Sequence, residues 1–226
     1  PMLLLSISGN VFAFADKVRL LDVYFPKQIA QKFKGPKFGI EGMRQILGIY
    51  DRPLCLQIIK PKMGMTPEET AAQVYQSALG GADLCKDDEM CSELDNCPFD
   101  QRLEAVLKAL DKAERETGHK TIYLASITDE SSRVHAKARR AVKMGATGLL
   151  LAYSAGLSTL KDLAEDPEIN VPIMLHPSHM LGMLKEFSWV ALGKLIRLAG
   201  ADLMLTPSLW SSLQTCSVEE EMRVSQ

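Results

Sequence analysis

One local pattern occurs three times in this chain: a helical segment, then Gly-Ala or Gly-Gly-Ala, then a short apolar run. It occupies residues 80–85, 145–151 and 200–205. Glycine just past a helix end adopts the left-handed conformation at little cost, and a continuous apolar run suits a strand that is buried on both faces. Because helices and strands that alternate in this way build a parallel sheet, the pattern predicts an α/β fold.

Six strands of this type can be placed along the chain. We predict them at residues 54–60, 82–86, 122–127, 149–153, 173–176 and 202–206. We predict helices between them: one beginning at the capping box of residues 66–69, one over 103–113 that stops at Gly118, and two more over 134–142 and 187–198. A (β/α)8 barrel of the TIM type needs eight such units. The chain is therefore predicted to form an incomplete barrel of about six βα units.

The pattern stops after Ser208. Residues 209–226 carry no strand signal, only a short acidic stretch at 219–221. We therefore divide the chain into a partial catalytic barrel domain, residues 1–208, and a C-terminal tail without barrel pattern, residues 209–226. An open parallel sheet exposes two edges, which favours pairing with other chains. We expect missing sequence, rather than a partner chain, to close the barrel.

Composition and charge narrow the class of protein. The chain has 26 basic and 28 acidic residues and a formal charge of -2, so nothing favours binding to nucleic acid or to an anionic membrane surface. The apolar start at residues 2–5 is too short for a signal peptide or a membrane span. Five cysteines without an export signal indicate free thiols, and those at 85, 91 and 97 do not have zinc-site spacing. We predict a cytoplasmic enzyme.

Polar side chains follow the predicted strands, and the active sites of barrels lie at that end of the strands. The residues at these positions are Lys60, Lys62, Lys86, Asp87, Asp88, Glu89, Thr128, Asp129, Ser154, His176, His179, Thr206 and Ser208.

The segment Lys86-Asp87-Asp88-Glu89 is the strongest of these signals. Three adjacent carboxylates repel one another unless water, a cation or basic groups compensate them, and Mg²⁺ prefers oxygen ligands. Lys86 could join such a site by taking up CO₂, because the resulting carbamate is an anionic oxygen ligand. The alternative is a solvated acidic loop.

Two lysines and a histidine have several possible roles. Lys60 and Lys62 could move protons or form a Schiff base with a substrate, or they could be solvated ammonium groups on a surface turn. His176 could be a base, a partner of a substrate hydroxyl or a hydrogen-bonded core residue. We interpret His119 and His135 as surface residues.

Five motifs in order, at residues 9–12, 35–40, 52–54, 59–64 and 86–89, resemble the RuBisCO large-subunit superfamily. The similarity runs from about Leu3 to Ser208. It implies that Lys86 is carbamylated and that Asp88 and Glu89 ligate Mg²⁺. The family also has an N-terminal α+β domain, a homodimeric assembly and two further barrel strands, so the end of the pattern after Ser208 looks like a truncation or a frame change.

The resemblance also implies roles for other residues. The catalytic residues would be Asn10, Lys60, Lys62 and His176, and the substrate-binding residues would be His176, Thr206 and Ser208.

Some positions depart from the carboxylases. Pro177 stands where they have an arginine, Leu205 stands where they have a histidine, and residues 209–226 offer no counterpart of their flexible lysine loop. The residues at 35–42, 118–121, 163–166 and 172–177 more closely resemble those of RuBisCO-like proteins of methionine salvage, the 2,3-diketo-5-methylthiopentyl-1-phosphate enolases. Those enolases generally lack the second lysine of the Lys-Pro-Lys motif, which is Lys62 here.

The sequence thus predicts a RuBisCO-like, Mg²⁺-dependent enolase or isomerase that acts on a phosphorylated, keto-sugar-like substrate. Three alternatives remain: a relative of the ribulose-1,5-bisphosphate carboxylase large subunit, a Schiff-base aldolase that uses Lys60, and a catalytically inert fragment or scaffold subunit.

Overall fold

The computed structural model describes residues 2–9, 18–178, 186–206 and 217–225. The helices within these ranges are α1 (Met2–Ser8), α2 (Lys27–Ala30), α3 (Gly39–Leu47), α4 (Pro67–Leu79), α5 (Phe99–Thr117), α6 (Val134–Lys143), α7 (Leu157–Glu165), α8 (Trp189–Ala199) and α9 (Val218–Ser225). The strands are β1 (Leu56–Ile58), β2 (Leu84–Lys86), β3 (Ile122–Ser126), β4 (Gly148–Ala152), β5 (Ile173–His176) and β6 (Leu203–Met204).

The six strands form one sheet in chain order, β1-β2-β3-β4-β5-β6, and every pair of neighbours is parallel. This confirms the predicted α/β architecture and all six predicted strands. The sheet curls into a half-barrel with the helices outside it. The first and last strands are shorter than predicted, because only Leu56–Ile58 and Leu203–Met204 lie opposite a neighbouring strand.

The two faces of the sheet carry separate apolar cores. The outer face packs against the helices through residues such as Tyr123, Leu149 and Leu151. The inner face forms a smaller cluster of Met43, Leu84, Ile122, Leu124, Leu150 and Met174. Since side chains alternate along a strand, the residues two positions after the inner ones continue this face toward the carboxyl edge of the sheet.

The helix signals predicted from sequence are present. Thr66 accepts a hydrogen bond from the Glu69 amide and the Glu69 side chain accepts one from the Thr66 amide, which confirms the capping box. Helix α5 ends at Gly118, whose φ of 69° lies in the left-handed region. Helices α3 and α7 were not predicted. Helix α3 places Met43 in the inner cluster.

The tail has more structure than the sequence indicated. Helix α9 lies within it and contacts α8, where a β-carbon added to Gly193 would be 3.5 Å from Val224. Thr206 also donates a hydrogen bond to Glu221 of α9 at 2.8 Å. The acidic stretch therefore belongs to a helix packed on the half-barrel, a helix that the sequence analysis did not predict.

The described helices were also compared with the length and apolarity that a membrane span requires. None of those in the described ranges is long and apolar enough to cross a membrane.

Candidate active site

Lys86 is the last residue of β2 and lies wholly inside the half-barrel, with no exposed surface. Its Nζ donates to the Asp87 carbonyl oxygen at 2.6 Å and lies 3.9 Å from Oε2 of Glu89. Burial lowers the pKa of Lys86, and the nearby charge of Lys60 lowers it further, although the neighbouring carboxylates oppose both effects. A lowered pKa makes the neutral amine, the form that reacts with CO₂, more accessible.

Asp88 is 2% exposed and faces Lys60, which lies on the loop after β1. Nζ of Lys60 forms an ion pair with Oδ2 of Asp88, and the amide of Met90 donates to Oδ1 at 3.1 Å. Burial raises the pKa of Asp88, but the hydrogen bonds from Lys60 and Met90 outweigh it and the net pKa is lowered. Asp88 is thus an ionised, buried carboxylate with a cationic partner.

His176 ends β5 and joins the same site through Glu89. Its Nε2 lies 3.2 Å from Oε2 of Glu89, and its Nδ1 accepts a hydrogen bond from the Ser178 amide at 3.2 Å. Burial lowers the pKa of His176, against the opposing charge of Glu89, which favours the neutral ring. Because Nδ1 is an acceptor, the neutral ring carries its proton on Nε2, and this N–H donates a hydrogen bond to Glu89.

Asp87 faces the opposite side of the strand and is bound there. Its carboxylate accepts hydrogen bonds from the Tyr123 hydroxyl, from the Ser126 amide at 2.9 Å and from Nε of Arg102 at 3.3 Å. These contacts tie the end of β2 to β3 and to α5. Because its carboxylate is used in these contacts, Asp87 is a poorer candidate for a metal ligand than Asp88 or Glu89.

Two buried cations hold the loop that follows Asp88 and Glu89. Arg102 donates to the carbonyl oxygens of Cys91, Ser92 and Cys97 at 2.7, 3.1 and 3.0 Å. Nζ of Lys137 donates to Oγ of Ser92 at 2.9 Å and lies within 4 Å of the carboxylates of Glu93 and Asp129. We name Arg102 and Lys137 the loop clamp, since both fix this loop against the helices.

The sequence analysis missed the loop clamp, although a signal for it was present. Arg102 lies between Phe99 and Val106 on the apolar stripe of α5, and Lys137 lies between Val134 and Ala141 on that of α6. A charge on an apolar stripe needs a buried partner.

The remaining predicted residues lie in different places. Lys62 is exposed on the loop after β1, and the Thr206 hydroxyl is bound to Glu221. Asn10, His179 and Ser208 lie outside the described residues. His119 and His135, which we interpreted as surface residues, are both half-buried, and His119 lies 3.2 Å from the buried carboxylate of Asp83, at the amino end of the strands.

The donor set fits Mg²⁺ best if Lys86 contributes an oxygen. In the described part of the chain, no three His, Cys, Asp or Glu side chains are grouped as metal ligands. Asp88 and Glu89 supply two carboxylates next to the buried Lys86 amine. A carbamate on Lys86 would add a third anionic oxygen donor, which suits Mg²⁺. The residues present therefore fit a carbamate-assisted magnesium site.

Comparison with known proteins identifies the family of the chain. The family model "Ribulose bisphosphate carboxylase large chain, catalytic domain" matches residues 39–215. A ribulose bisphosphate carboxylase-like protein of Archaeoglobus fulgidus is 41% identical over 92% of this chain and 48% of its own length. A 2,3-diketo-5-methylthiopentyl-1-phosphate enolase of Bacillus licheniformis is 40% identical over 94% of this chain and 54% of its own. The chain thus spans about half the length of these relatives.

Solved structures share the fold. A rubisco-like protein, MtnW, of Alicyclobacillus acidocaldarius superposes with a TM-score of 0.90 and 34% identity, over 98% of this chain and 57% of that one. A dimeric archaeal Rubisco of Hyperthermus butylicus superposes with a TM-score of 0.84 and 34% identity, over 98% and 53% of the two chains.

Proposed function

Because the chain belongs to the ribulose bisphosphate carboxylase large-chain family, we propose that it forms the catalytic half-barrel of a RuBisCO-like enolase. The proposed substrate is 2,3-diketo-5-methylthiopentyl-1-phosphate, an intermediate of methionine salvage, and the proposed cofactor is Mg²⁺. The observation that carries the proposal is the buried Lys86 amine beside Asp88 and Glu89. Relatives named as this enolase, at about 40% identity, support the reaction class.

Lys86, Asp88 and Glu89 would hold the metal. The Lys86 ammonium group first loses one proton. The neutral amine then forms a C–N bond to CO₂, as one C–O π bond of CO₂ opens, and releases a second proton to solvent, so that a buried cation becomes an anionic oxygen ligand. Bound there, Mg²⁺ would supply Lewis-acid stabilisation of the negative charge that develops on a substrate carbonyl oxygen. Asp88 is already ionised, because it is paired with the ammonium group of Lys60, so it needs no deprotonation before it binds a cation.

Lys60 and Lys62 supply positive charge at the mouth of the site. The Lys60 side chain is 59% exposed, so its ammonium group is accessible to an anionic oxygen of the substrate and can exchange protons with it. Lys62, exposed on the same loop, adds to the attraction for a phosphate group. Asn10, Thr206 and Ser208 belong to the proposed site on the ground of the family resemblance alone.

His176 orients a ligand and presents a donor. Its neutral ring holds Glu89 through Nε2–H, while the Ser178 amide fixes the tautomer. A hydrogen bond of this kind holds a ligating carboxylate in one orientation.

Carboxylation is less well supported. Pro177 follows His176 directly and cannot supply the cationic fork of an arginine. Leu205 packs against the inner apolar cluster at the position where the carboxylases have a histidine. These residues leave apolar surface where a carboxylase needs polar contacts to its substrate. Incorporation of CO₂ into an acid-stable product would favour the carboxylase.

The proposal is tested by exchange of the substrate's α-protons in deuterated water, followed by NMR. We expect exchange only when both Mg²⁺ and CO₂ are present, and none with Lys86→Met. Lys112→Met, which removes an exposed lysine of α5, is the matched control and should exchange like the wild type. Exchange without metal, or unchanged exchange in Lys86→Met, would disprove the proposal.

We also propose a homodimer in the cytoplasm. The dimeric archaeal Rubisco with the same fold supports the assembly, and the four cysteines in the described part of the chain are all free, which suits a reducing compartment. Sedimentation equilibrium of the purified chain tests the assembly, and a monomer at all concentrations would contradict it.

A further inference from the structure

Ser126, the last residue of β3, has a buried hydroxyl group without a partner. It has no exposed surface, and its Oγ has no hydrogen-bond partner in the described part of the chain. A buried polar group left unpaired is costly, and most such groups in proteins are hydrogen-bonded. An orphaned hydroxyl next to a candidate site therefore calls for a functional reason.

The strand pattern directs this hydroxyl into the half-barrel. Leu124, two positions earlier, belongs to the inner cluster, while Tyr123, Ala125 and Ile127 belong to the outer core. Ser126 therefore shares the inner face with Leu124. Leu124 is the register partner of Lys86 on β2, so Ser126 lies just beyond Lys86 on the neighbouring strand.

Asp87 forms hydrogen bonds with both Ser126 and Lys86. In a regular parallel ladder the Ser126 amide would donate to the Asp87 carbonyl oxygen, but here it donates to the Asp87 side chain at 2.9 Å. This substitution leaves the Asp87 carbonyl oxygen free to accept Nζ of Lys86 at 2.6 Å. Asp87 thus accepts a hydrogen bond from the Ser126 amide with its side chain and one from the Lys86 amine with its carbonyl oxygen.

We propose that Ser126 is a positioning residue whose hydroxyl donates a hydrogen bond to the carbamate formed on Lys86. The inference rests on the proposed function, because it needs that carbamate. A carbamate carries two oxygens with several lone pairs, so it could accept a hydrogen bond and also serve as a metal ligand. A donor that is already buried and unpaired strengthens this contact, since no existing hydrogen bond has to be broken first.

This role predicts that stability and carbamate formation respond differently to Ser126→Ala. In buffer free of CO₂ and Mg²⁺, the variant should unfold at the same or a higher denaturant concentration than the wild type, because it loses an unpaired hydroxyl. Carbamate formation should need about tenfold more dissolved CO₂, the effect of one hydrogen bond to a charged group. Ser126→Cys, with a weak donor of similar size, should behave like the alanine variant.

The experiment measures the carbamate directly, by ¹³C NMR of the purified chain titrated with ¹³C-labelled bicarbonate at fixed Mg²⁺. Thr121→Val is the matched control, since Thr121 is also buried and its hydroxyl is bound to the Ala82 carbonyl at 2.7 Å, before the start of β3. We expect it to lose stability and to form carbamate like the wild type.

Three outcomes would overturn the proposal. Equal carbamate formation in Ser126→Ala and wild type would refute the role of Ser126 alone and leave the proposed function intact. Loss of stability in Ser126→Ala, to the extent seen in Thr121→Val, would mean an ordinary structural role. No carbamate in the wild type at any CO₂ concentration would refute the role of Ser126 and the proposed function together.

Discussion

Adjacent side chains of residues 86–89 reach different parts of the molecule, and this separation decides what each can do. Lys86 lies inside the half-barrel, whereas Asp87 is bonded to Tyr123 and Arg102 on the helix side. Asp88 and Glu89 face Lys60 and His176 at the strand ends. The segment therefore combines a structural tie with a set of candidate ligands, although its sequence is a single run of charges.

The buried contact between Asp87 and Arg102 predicts that Arg102→Met strongly lowers the free energy of unfolding. The change leaves the Asp87 carboxylate buried without its cation and removes three hydrogen bonds to the loop after β2. Breaking a buried ion pair costs about 3–5 kcal/mol. Urea unfolding measures it. The control is Arg140→Met on α6, whose exposed ion pair with Asp100 contributes about 0–1 kcal/mol; equal losses in the two variants would contradict the account.

Asp83 gives a second prediction, on pH dependence. Its buried carboxylate accepts two hydrogen bonds from Arg52 at 2.7 Å and one from the Cys55 amide at 2.6 Å. The Arg52 hydrogen bonds lower the pKa of Asp83, against the opposing effect of burial. A carboxyl whose pKa is lower in the folded state stabilises the protein above its unfolded pKa of about 3.9, and the contribution is lost as pH falls through the folded pKa.

We therefore expect Asp83→Asn to be less stable than the wild type at pH 7. As the pH falls from 5 into the acid range, the variant should lose less free energy of unfolding than the wild type. The measurement is the free energy of unfolding in urea across this pH range. Asp111→Asn, at an exposed position on α5, serves as the control and should follow the wild-type curve. If the free energy of unfolding of Asp83→Asn falls with pH as steeply as that of the wild type, Asp83 does not contribute to the pH dependence of stability.

At the scale of elements, α8 ends where the chain has no room for a side chain. Gly200 caps α8 with a φ of 108°, and a β-carbon there would lie 2.4 Å from the β-carbon of Ala164 and 3.1 Å from the Gly35 carbonyl oxygen. Gly81 also has a positive φ, 86°, but its β-carbon would meet nothing within 4 Å. Alanine at Gly81 would therefore add backbone strain alone, whereas alanine at Gly200 would add both backbone strain and a steric clash.

Gly81→Ala should cost about 1–2 kcal/mol of folding free energy, the strain of an alanine in the left-handed region. Gly200→Ala should cost more, by about 1–3 kcal/mol, because α7 and the loop before α3 must also move. Chemical denaturation of both variants gives the difference. Similar losses at the two positions would mean that the contact with Ala164 relaxes freely.

Helices were predicted from sequence where their signals were local and strong. The capping box at Thr66 and the glycine at 118 gave clear limits for α4 and α5. Helices α3, α7 and α9 were missed because they are short, nine, nine and eight residues, and depend on contacts that are distant in sequence. The amino end of α3, for example, is held by Asp202, which accepts hydrogen bonds from the Phe38 and Gly39 amides.

At the scale of the whole molecule, the order and direction of the strands followed from the repeated units. The predicted ligands Lys86, Asp88 and Glu89 and the predicted His176 do meet at one edge of the sheet. The sequence could not show that Asp88 pairs with Lys60, or that Arg102 and Lys137 hold the loop behind it. Such contacts depend on how loops from different units pack, and no local pattern encodes that packing.

The central claim is that the half-barrel carries a cation site whose third anionic ligand is a carbamate on Lys86. Calorimetric titration with Mg²⁺, in the presence and absence of dissolved CO₂, tests it most directly. We predict saturable binding that needs CO₂, is lost in Lys86→Met and Glu89→Gln, and persists in Glu130→Gln, which changes an exposed carboxylate after β3. Binding of equal affinity without CO₂, or undiminished in Lys86→Met, would contradict it.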